Sequence, residues 1–467
     1  MLKREDLIVL SVCFGAFISC LDSYIVNISL PEIATAFNTD VVSVSAVTVY
    51  YSLLMTCSML VWGKAADRLG ARRLFLAGYV VFTLSSLACG LASSLEMLVV
   101  ARCVQGVGAA SLFAIGMTIV ALYVPPHMLG KAYGLVATSG ALGLTFGAPL
   151  GGLITGLFDW RGVFLVNVPI GILAWMLTRQ AVPRTEERNE VGKPFDIMGA
   201  LLSSAALFSL VWAASACERQ GWQSPDFLIF SGLAVALAVL FILQERRHSS
   251  PLVNPALFRD RGFPLAVSVG MILMFTLGGV ALIIPFHLIW GKGLSVETAG
   301  LVMAMFSGVG AVLSPFTGRL ADKVGAARLC LAAMVLGAGA SLFFANTAQM
   351  PGLTTTFIFL LVFGLGTSLF FPGGNALIMQ LAPREHKGTA GAVNATSRTL
   401  GMALGASIFA ALLPHHGVTG ELPPGAMFVP WTFAAVVLAV ALLMCFPLVT
   451  DERRKKRELR EREGSGA

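Results

Sequence analysis

An all-helical integral membrane protein, built as two six-helix halves with two further helices inserted between them, is the fold class the sequence predicts. Three observations carry it: an apolar composition, the placement of Lys and Arg, and an internal repeat. Of 467 residues, 56% are hydrophobic and only 12% charged, about half the charged share of an ordinary soluble domain. Hydrocarbon about 30 Å thick takes about 20 apolar residues of helix. Fourteen charge-poor runs reach or approach that length.

In chain order they lie near residues 7–30, 43–62, 74–92, 97–123, 130–156, 161–178, 195–214, 226–243, 263–289, 298–317, 328–346, 353–381, 388–413 and 427–449. The first is too long and too polar at its end for a cleaved signal peptide, and no A-x-A site follows, so a retained first helix is expected. Cytoplasmic loops should hold the Lys and Arg of a membrane protein. Of 32 such residues, three (Arg161, Arg219, Lys292) fall in the opposite loops and two (Arg102, Arg398) inside spans, while the other 27 share one side. Both termini are therefore expected in the cytoplasm. The predicted divisions are residues 1–178 for the first half, 179–262 for the inserted hairpin with its basic linkers, 263–450 for the second half and 451–467 for a basic tail.

The same charge distribution limits the function classes. A net charge of +7 is accounted for by the cytoplasmic loops and calls for no nucleic acid. Eight cysteines show no CxxC spacing and sit mostly in apolar runs, as small hydrophobes would. No G-x-x-x-x-G-K-[ST] phosphate loop, G-x-S-x-G elbow or metal-spaced histidine pair occurs. ATP is not the expected fuel, and an enzyme is a poor rival to a transporter.

The repeat supplies the architecture. "GKAADRLGARR" (63–73) and "GRLADKVGAAR" (318–328) match at Gly63/Gly318, Ala66/Ala321, Asp67/Asp322, Gly70/Gly325, Ala71/Ala326 and Arg73/Arg328, and Lys64/Arg319 and Arg68/Lys323 keep charge. Positive-inside charge alone asks for no glycines and no acid. A glycine to end a helix, an acid to cap the next turn or meet a basic partner, and Arg72 and Arg73 to anchor the loop give the pattern a physical reading. Parallel halves joined on the cytoplasmic side are the arrangement of large secondary transporters, with the substrate near the midplane.

These residues carry a resemblance. "GKAADRLGARR" resembles the signature loop of the major facilitator superfamily. "LVVARCVQGVGAA" (98–110), with Arg102, Gln105 and Gly106, resembles its fourth-helix motif, and "GALGLTFGAPLGG" (140–152) its fifth-helix glycine-proline motif. In the last, Gly147, Ala148 and Pro149 stand where the family usually has glycine-proline directly, and Gly143, Gly147 and Gly151 clear one helix face for close contact. "FISCLDSYIVNISLP" (17–31), with Asp22, Val26, Asn27 and Pro31, and "WRGVFLVNVPIG" (160–171) are similar to signatures of the fourteen-helix drug:proton antiporter-2 branch. The resemblance implies export of amphipathic, cationic compounds by a monomer that uses the proton as coupling ion and no cofactor. It leaves open a carrier of one metabolite, lipid or siderophore, more remotely an uncoupled channel or membrane receptor, and whether a periplasmic adaptor is needed.

Among 25 acidic residues, Asp22 alone lies well inside a span. A carboxylate there costs about 2.5–3.5 kcal/mol even on insertion scales, so it is expected to have a use. Fifteen residues from Leu7 place it about 22 Å along its helix, at a depth similar to Arg102, and the superfamily sets helices one and four beside the cavity. The pair is expected to interact while Asp22 is ionised, and protonation or cargo to part it. A purely structural role, Asp22 as acceptor and Arg102 as a clamp on carbonyl oxygens, stays open beside this. Polar candidates for the cavity wall are Asn27, Gln105, Asn167, His287, Asn375, Asn394 and Arg398. Tyr24, Phe113, Phe146, Trp290 and Phe371 would offer flat surfaces.

Overall fold

The structure, a computed structural model, describes residues 4–125, 128–183, 196–248, 251–253, 255–382, 387–413 and 425–464. Among them there is no strand. The helices are α1 (Arg4–Ala36), α2 (Val41–Leu69), α3 (Ala71–Gly90), α4 (Leu95–Tyr123), α5 (Leu129–Phe158), α6 (Gly162–Leu165), α7 (Asn167–Ala181), α8 (Ile197–Gln220), α9 (Pro225–Arg247), α10 (Gly262–Phe286), α11 (Val296–Val324), α12 (Ala326–Thr347), α13 (Thr354–Leu381), α14 (Lys387–Leu412) and α15 (Phe428–Gly464). Every one of the fourteen apolar runs coincides with helix, the sixth being shared by α6 and α7. Eleven stretches among the described residues are long and apolar enough to cross a membrane.

Local chemistry sets many of the ends. A helix leaves its first N–H groups without partners, and a short polar side chain before it supplies one. Asp40 accepts from the Ser43 N–H at 2.8 Å, Ser94 from Met97 at 3.2 Å, Asp196 from Gly199 at 2.7 Å and Ser224 from Phe227 at 3.2 Å. Pro225 follows Ser224 at the first helical position, where its missing N–H is no loss.

The repeated segments differ from expectation in one respect. Gly63 does not end α2, which runs on through Leu69, and the turn is confined to Gly70. Likewise α11 continues to Val324, and only Gly325 separates it from α12. The apolar run marks where hydrocarbon stops, whereas Lys, Ala and Arg continue a helix in water without difficulty. Gly70 has φ +93° and Gly325 φ +110°, a backbone that L side chains rarely adopt. The two related positions thus share one conformation. For Gly63, Asp67, Arg68, Gly318 and Asp322 only the backbone is described, and their side-chain surroundings lie outside the described residues.

The flanking charges act on helix ends. Arg72 donates from Nε to the Val182 carbonyl at 2.9 Å and from Nη2 to the Arg179 carbonyl at 3.0 Å, satisfying the last carbonyls of α7. In the second repeat the partner is an acid: Glu452 Oε2 accepts the Ala327 N–H at 3.1 Å at the start of α12, where a carboxylate is favoured by the helix dipole. Arg73 and Arg328 are exposed.

Two compact units can be described separately. The first comprises residues 1–252, 278–304 and 403–423; the second comprises 253–277, 305–402 and 424–467. In the first, α1 packs on α5 and α7, and α4 packs on α2 and α3. The hairpin α8–α9 joins this unit through α2: Ser204 Oγ donates to the Cys57 carbonyl at 2.8 Å, and Trp212 stacks on Tyr50 with centroids 5.7 Å apart. Only 6% of the span formed by α9 is buried, so it faces outward along almost its whole length. In the second unit α12 packs on α13 and α15, around Phe344, Phe359 and Trp431, whose rings lie 4.5 to 5.4 Å apart.

A Cβ at either positive-φ turn costs about 1–3 kcal/mol in backbone strain. Gly70→Ala and Gly325→Ala should each lower the thermal midpoint of the detergent-solubilised protein. In Gly325→Ala the new atom would also displace the Glu452 carboxylate, whose Oε1 would lie 2.5 Å from it. Leu69→Ala, at an exposed neighbour, should leave the midpoint in place; equal midpoints for all three would contradict the strain argument.

Candidate functional site

Which way Asp22 points is decided by the other side of α1. Gly143, Gly147 and Gly151 stand one turn apart on α5, and a Cβ at each would lie 2.5 Å from the Phe17 carbonyl, 2.7 Å from Tyr24 Cβ and 2.5 Å from the Ile25 carbonyl. The absence of side chains there lets two helix backbones touch, as small residues do inside membranes. Ser29 and Thr155 add a hydrogen bond of 2.6 Å between the same helices, and Pro149 lies within α5 without ending it. A neighbouring α5 face, through Gly152, meets Val296 and Gly300 of α11 in the same way. With α5 occupying one face of α1, Asp22 lies on another, toward α4 and α7.

There it is enclosed. Asp22 and Arg102 are both 0% exposed, and Arg102 Nη1 donates to Asp22 Oδ2 at 2.5 Å. The other oxygen, Oδ1, accepts from Gln105 Nε2 at 3.0 Å and from Asn167 Nδ2 at 2.8 Å. Arg102 Nη1 also reaches Gln105 Oε1 at 2.7 Å, and its Nε reaches the Val47 carbonyl at 3.2 Å. Gln105 Nε2 donates further to Ser86 Oγ at 2.6 Å. The guanidinium lies over Tyr51, with Cζ 3.8 Å from the ring centroid, a stacking that a planar cation favours. Groups from α1, α2, α3, α4 and α7 therefore converge on one ion pair. Two of its buried atoms, Arg102 Nη2 and Asn167 Oδ1, have no hydrogen-bond partner among the described residues.

Local sequence explains the geometry. Arg102 and Gln105 are three apart on α4, hence on one face. Asn167 is the first residue of α7, where Pro169 needs no helical partner for its missing N–H. The approach to α7 is fixed by buried Trp160, whose ring packs against Phe37 and Phe164 at 5.4 and 6.2 Å.

Chemically, the site holds one negative and one positive charge that neutralise each other. Protonating Asp22 would leave Arg102 buried without its counter-ion, and breaking such a pair from one side costs about 3–5 kcal/mol.

The other expected site residues scatter. Asn27 is buried and accepts from Thr48 Oγ1 at 3.1 Å; Tyr24 is buried against Gly147; Gln105 and Asn167 belong to the ion-pair shell. Phe113 packs on the core of the first unit, and Phe146 is 47% exposed. His287 is buried in a π turn that follows α10, with Trp290 half-buried and edge-on to Phe286 at 4.8 Å. In the second unit Phe371 and Arg398 are half-buried and Asn375 exposed. Ser86, Tyr51 and the Val47 carbonyl were not anticipated. Nothing in the sequence sets Ser86 apart from Ser85 beside it, and a carbonyl has no sequence signature.

Arg102→Gln should strand a buried carboxylate and lower stability in detergent by about 3–5 kcal/mol. Adding Asp22→Asn should recover most of that loss, because the double variant buries no charge. Losses that simply add would show that the two groups do not interact.

The model of the Major Facilitator Superfamily matches residues 12–290 and 265–467. The chain is 30% identical over 411 residues to the riboflavin transporter RibZ of Clostridioides difficile (strain 630), covering 88% of each. It is 31% identical over 419 residues to the multidrug resistance protein Stp of Mycobacterium tuberculosis (strain CDC 1551 / Oshkosh), covering 88% of this chain and 76% of that one. The crystal structure of a D-xylose-proton symporter aligns with a TM-score of 0.67 at 15% identity, over 95% of this chain and 97% of the other, a likeness of fold. A transporter fold, apolar spans and family-wide matches agree: the chain belongs to the Major Facilitator Superfamily, as a multi-pass membrane transporter of small molecules and not an enzyme.

Proposed function

We propose that this transporter exports amphipathic compounds while protons enter, by alternating access. The reading includes fourteen spans, both termini in the cytoplasm, the bacterial inner membrane, and function as a monomer. The observation that carries it is the enclosed Asp22–Arg102 pair. Asp22 is a carboxylate well inside a span, where a proton can change a charge, and both partners lie on helices that meet other helices of the same unit. A relative named as a multidrug resistance protein supports amphipathic cargo.

In the cycle this implies, a proton reaching Asp22 releases Arg102, and α1, α4 and α7 settle into a second arrangement. Deprotonation on the other side restores the pair. The cationic cargo that the sequence suggested has less support, since Asp22 is 0% exposed and already neutralised. A second reading, a carrier of one metabolite, draws on the relative named as a riboflavin transporter.

The test is dye release from liposomes holding the purified protein under an imposed pH gradient, with wild type and Asp22→Asn compared. Gradient-driven transport by the wild type, lost in an Asp22→Asn variant that is less stable but still folded in the liposomes by circular dichroism, is the expected result. Transport that survives the substitution would remove Asp22 from the coupling step. Transport of riboflavin alone from a mixed panel would favour the metabolite carrier.

A further inference from the structure

Two kinds of contact hold Arg102, and they come from different helices. Its charge is met by Asp22 on α1, while its other partners among the described residues are neutral. On α4 itself, Gln105 Oε1 accepts from Nη1 at 2.7 Å. On α2, the Val47 carbonyl accepts from Nε at 3.2 Å, and one turn further along the Tyr51 ring centroid lies 3.8 Å from Cζ. A second ring, Phe164, stands at 5.6 Å, near the limit of such an attraction.

Backbone packing fixes the Tyr51 side of this arrangement. Gly106, one turn beyond Arg102 on α4, faces the Tyr51 carbonyl so closely that a Cβ would collide with it. Trp62 Nε1 donates to the Val107 carbonyl at 2.9 Å between the same two helices. The Tyr51 side chain is 0% exposed, yet its hydroxyl comes only to 3.5 Å from Ser23 Oγ and from the Ser19 carbonyl, the outer limit of a hydrogen bond. Its close contact is made by the ring face.

The two kinds of contact respond differently to a proton. Neutralising the carboxylate removes most of the attraction between Arg102 and Asp22. The attraction between a cation and a ring face grows when the cation is desolvated, and grows again when no neighbouring anion cancels its field. We propose that Tyr51 is a positioning residue for the coupling step: its ring carries the Arg102 charge while Asp22 is neutral, so the guanidinium stays on α2 and α4 when α1 is released. An aliphatic side chain would fill the space without doing this. The assignment deepens the proton-coupled reading and rests on it only for the place of Tyr51 in the cycle; the contact itself is a property of the folded protein.

Thermal midpoints of the full-length protein in detergent test it, with Tyr51→Phe and Tyr51→Leu compared in three backgrounds. Tyr51→Phe keeps the ring, and Tyr51→Leu keeps only an apolar side chain. The volume lost between the two is common to all backgrounds, so a merely packed Tyr51 gives one constant difference. The drop from Tyr51→Phe to Tyr51→Leu should be at least twice as large in Asp22→Asn as in the otherwise wild-type protein. It should be smallest in Asp22→Asn/Arg102→Gln, where no guanidinium remains. Equal drops in the three backgrounds, or a smaller drop in Asp22→Asn, would overturn the proposal. Should Tyr51→Leu fail to fold in Asp22→Asn, the other two backgrounds decide: a larger drop in the wild type supports the contact, and an equal one overturns it. In the liposome assay Tyr51→Phe should transport within twofold of wild type and Tyr51→Leu at a tenth or less; equal transport by the two would overturn the role in coupling. Absence of gradient-driven transport in the wild type would refute the proton-coupled reading and leave the midpoints to decide what Tyr51 holds.

Discussion

A carboxylate in the interior of a membrane protein must be neutralised, and much of the first unit is organised around doing so for Asp22. Its two oxygens accept from Arg102, Gln105 and Asn167, and Arg102 and Gln105 extend the network to Val47 and Ser86. Hydrogen bonding in this shell ties together five helices that hydrophobic association alone would hold weakly, because lipid tails are as apolar as leucine. The glycines of α5 are the counterpart of this polar centre. They draw one face of α1 so close to α5 that Asp22 has the opposite helices as its surroundings.

Such a centre resists gradual change. An ion pair with 2.5 Å between its atoms and no exposed surface is either made or broken, so its environment favours discrete arrangements over continuous deformation. Any ligand that distinguishes the made from the broken pair will bias one against the other.

The features written in the sequence were those with a period or a cost. Apolar runs located the helices because hydrocarbon thickness fixes a minimum length, and Asp22 and Arg102 stood out because charge inside a span is expensive. Helix ends were less legible, since nothing in hydropathy separates the end of the membrane from the end of a helix; the second apolar run stops near residue 62, and its helix ends at Gly70. Facing direction was the hardest to read. Tyr24 and Asn27 lie inside the bundle although they flank the charged residue, because α5 and α2 take their sides of α1. Gln105 and Asn167, both expected on a cavity wall, instead complete the shell of the ion pair.

The two units share a backbone plan and divide the chemistry. Gly70 and Gly325 make the same one-residue turn, yet what braces each turn has the opposite sign: the arginine Arg72 against carbonyls in one, the carboxylate Glu452 against an N–H in the other. The same divergence runs through the membrane interior, where one unit seals a compensated charge pair and the other leaves Arg398 half-exposed beside Phe371. A repeat conserves what the fold requires, a glycine where φ is positive and a tight turn between long helices. It leaves charge free to vary, because charge is satisfied by whichever partner the surrounding helices supply.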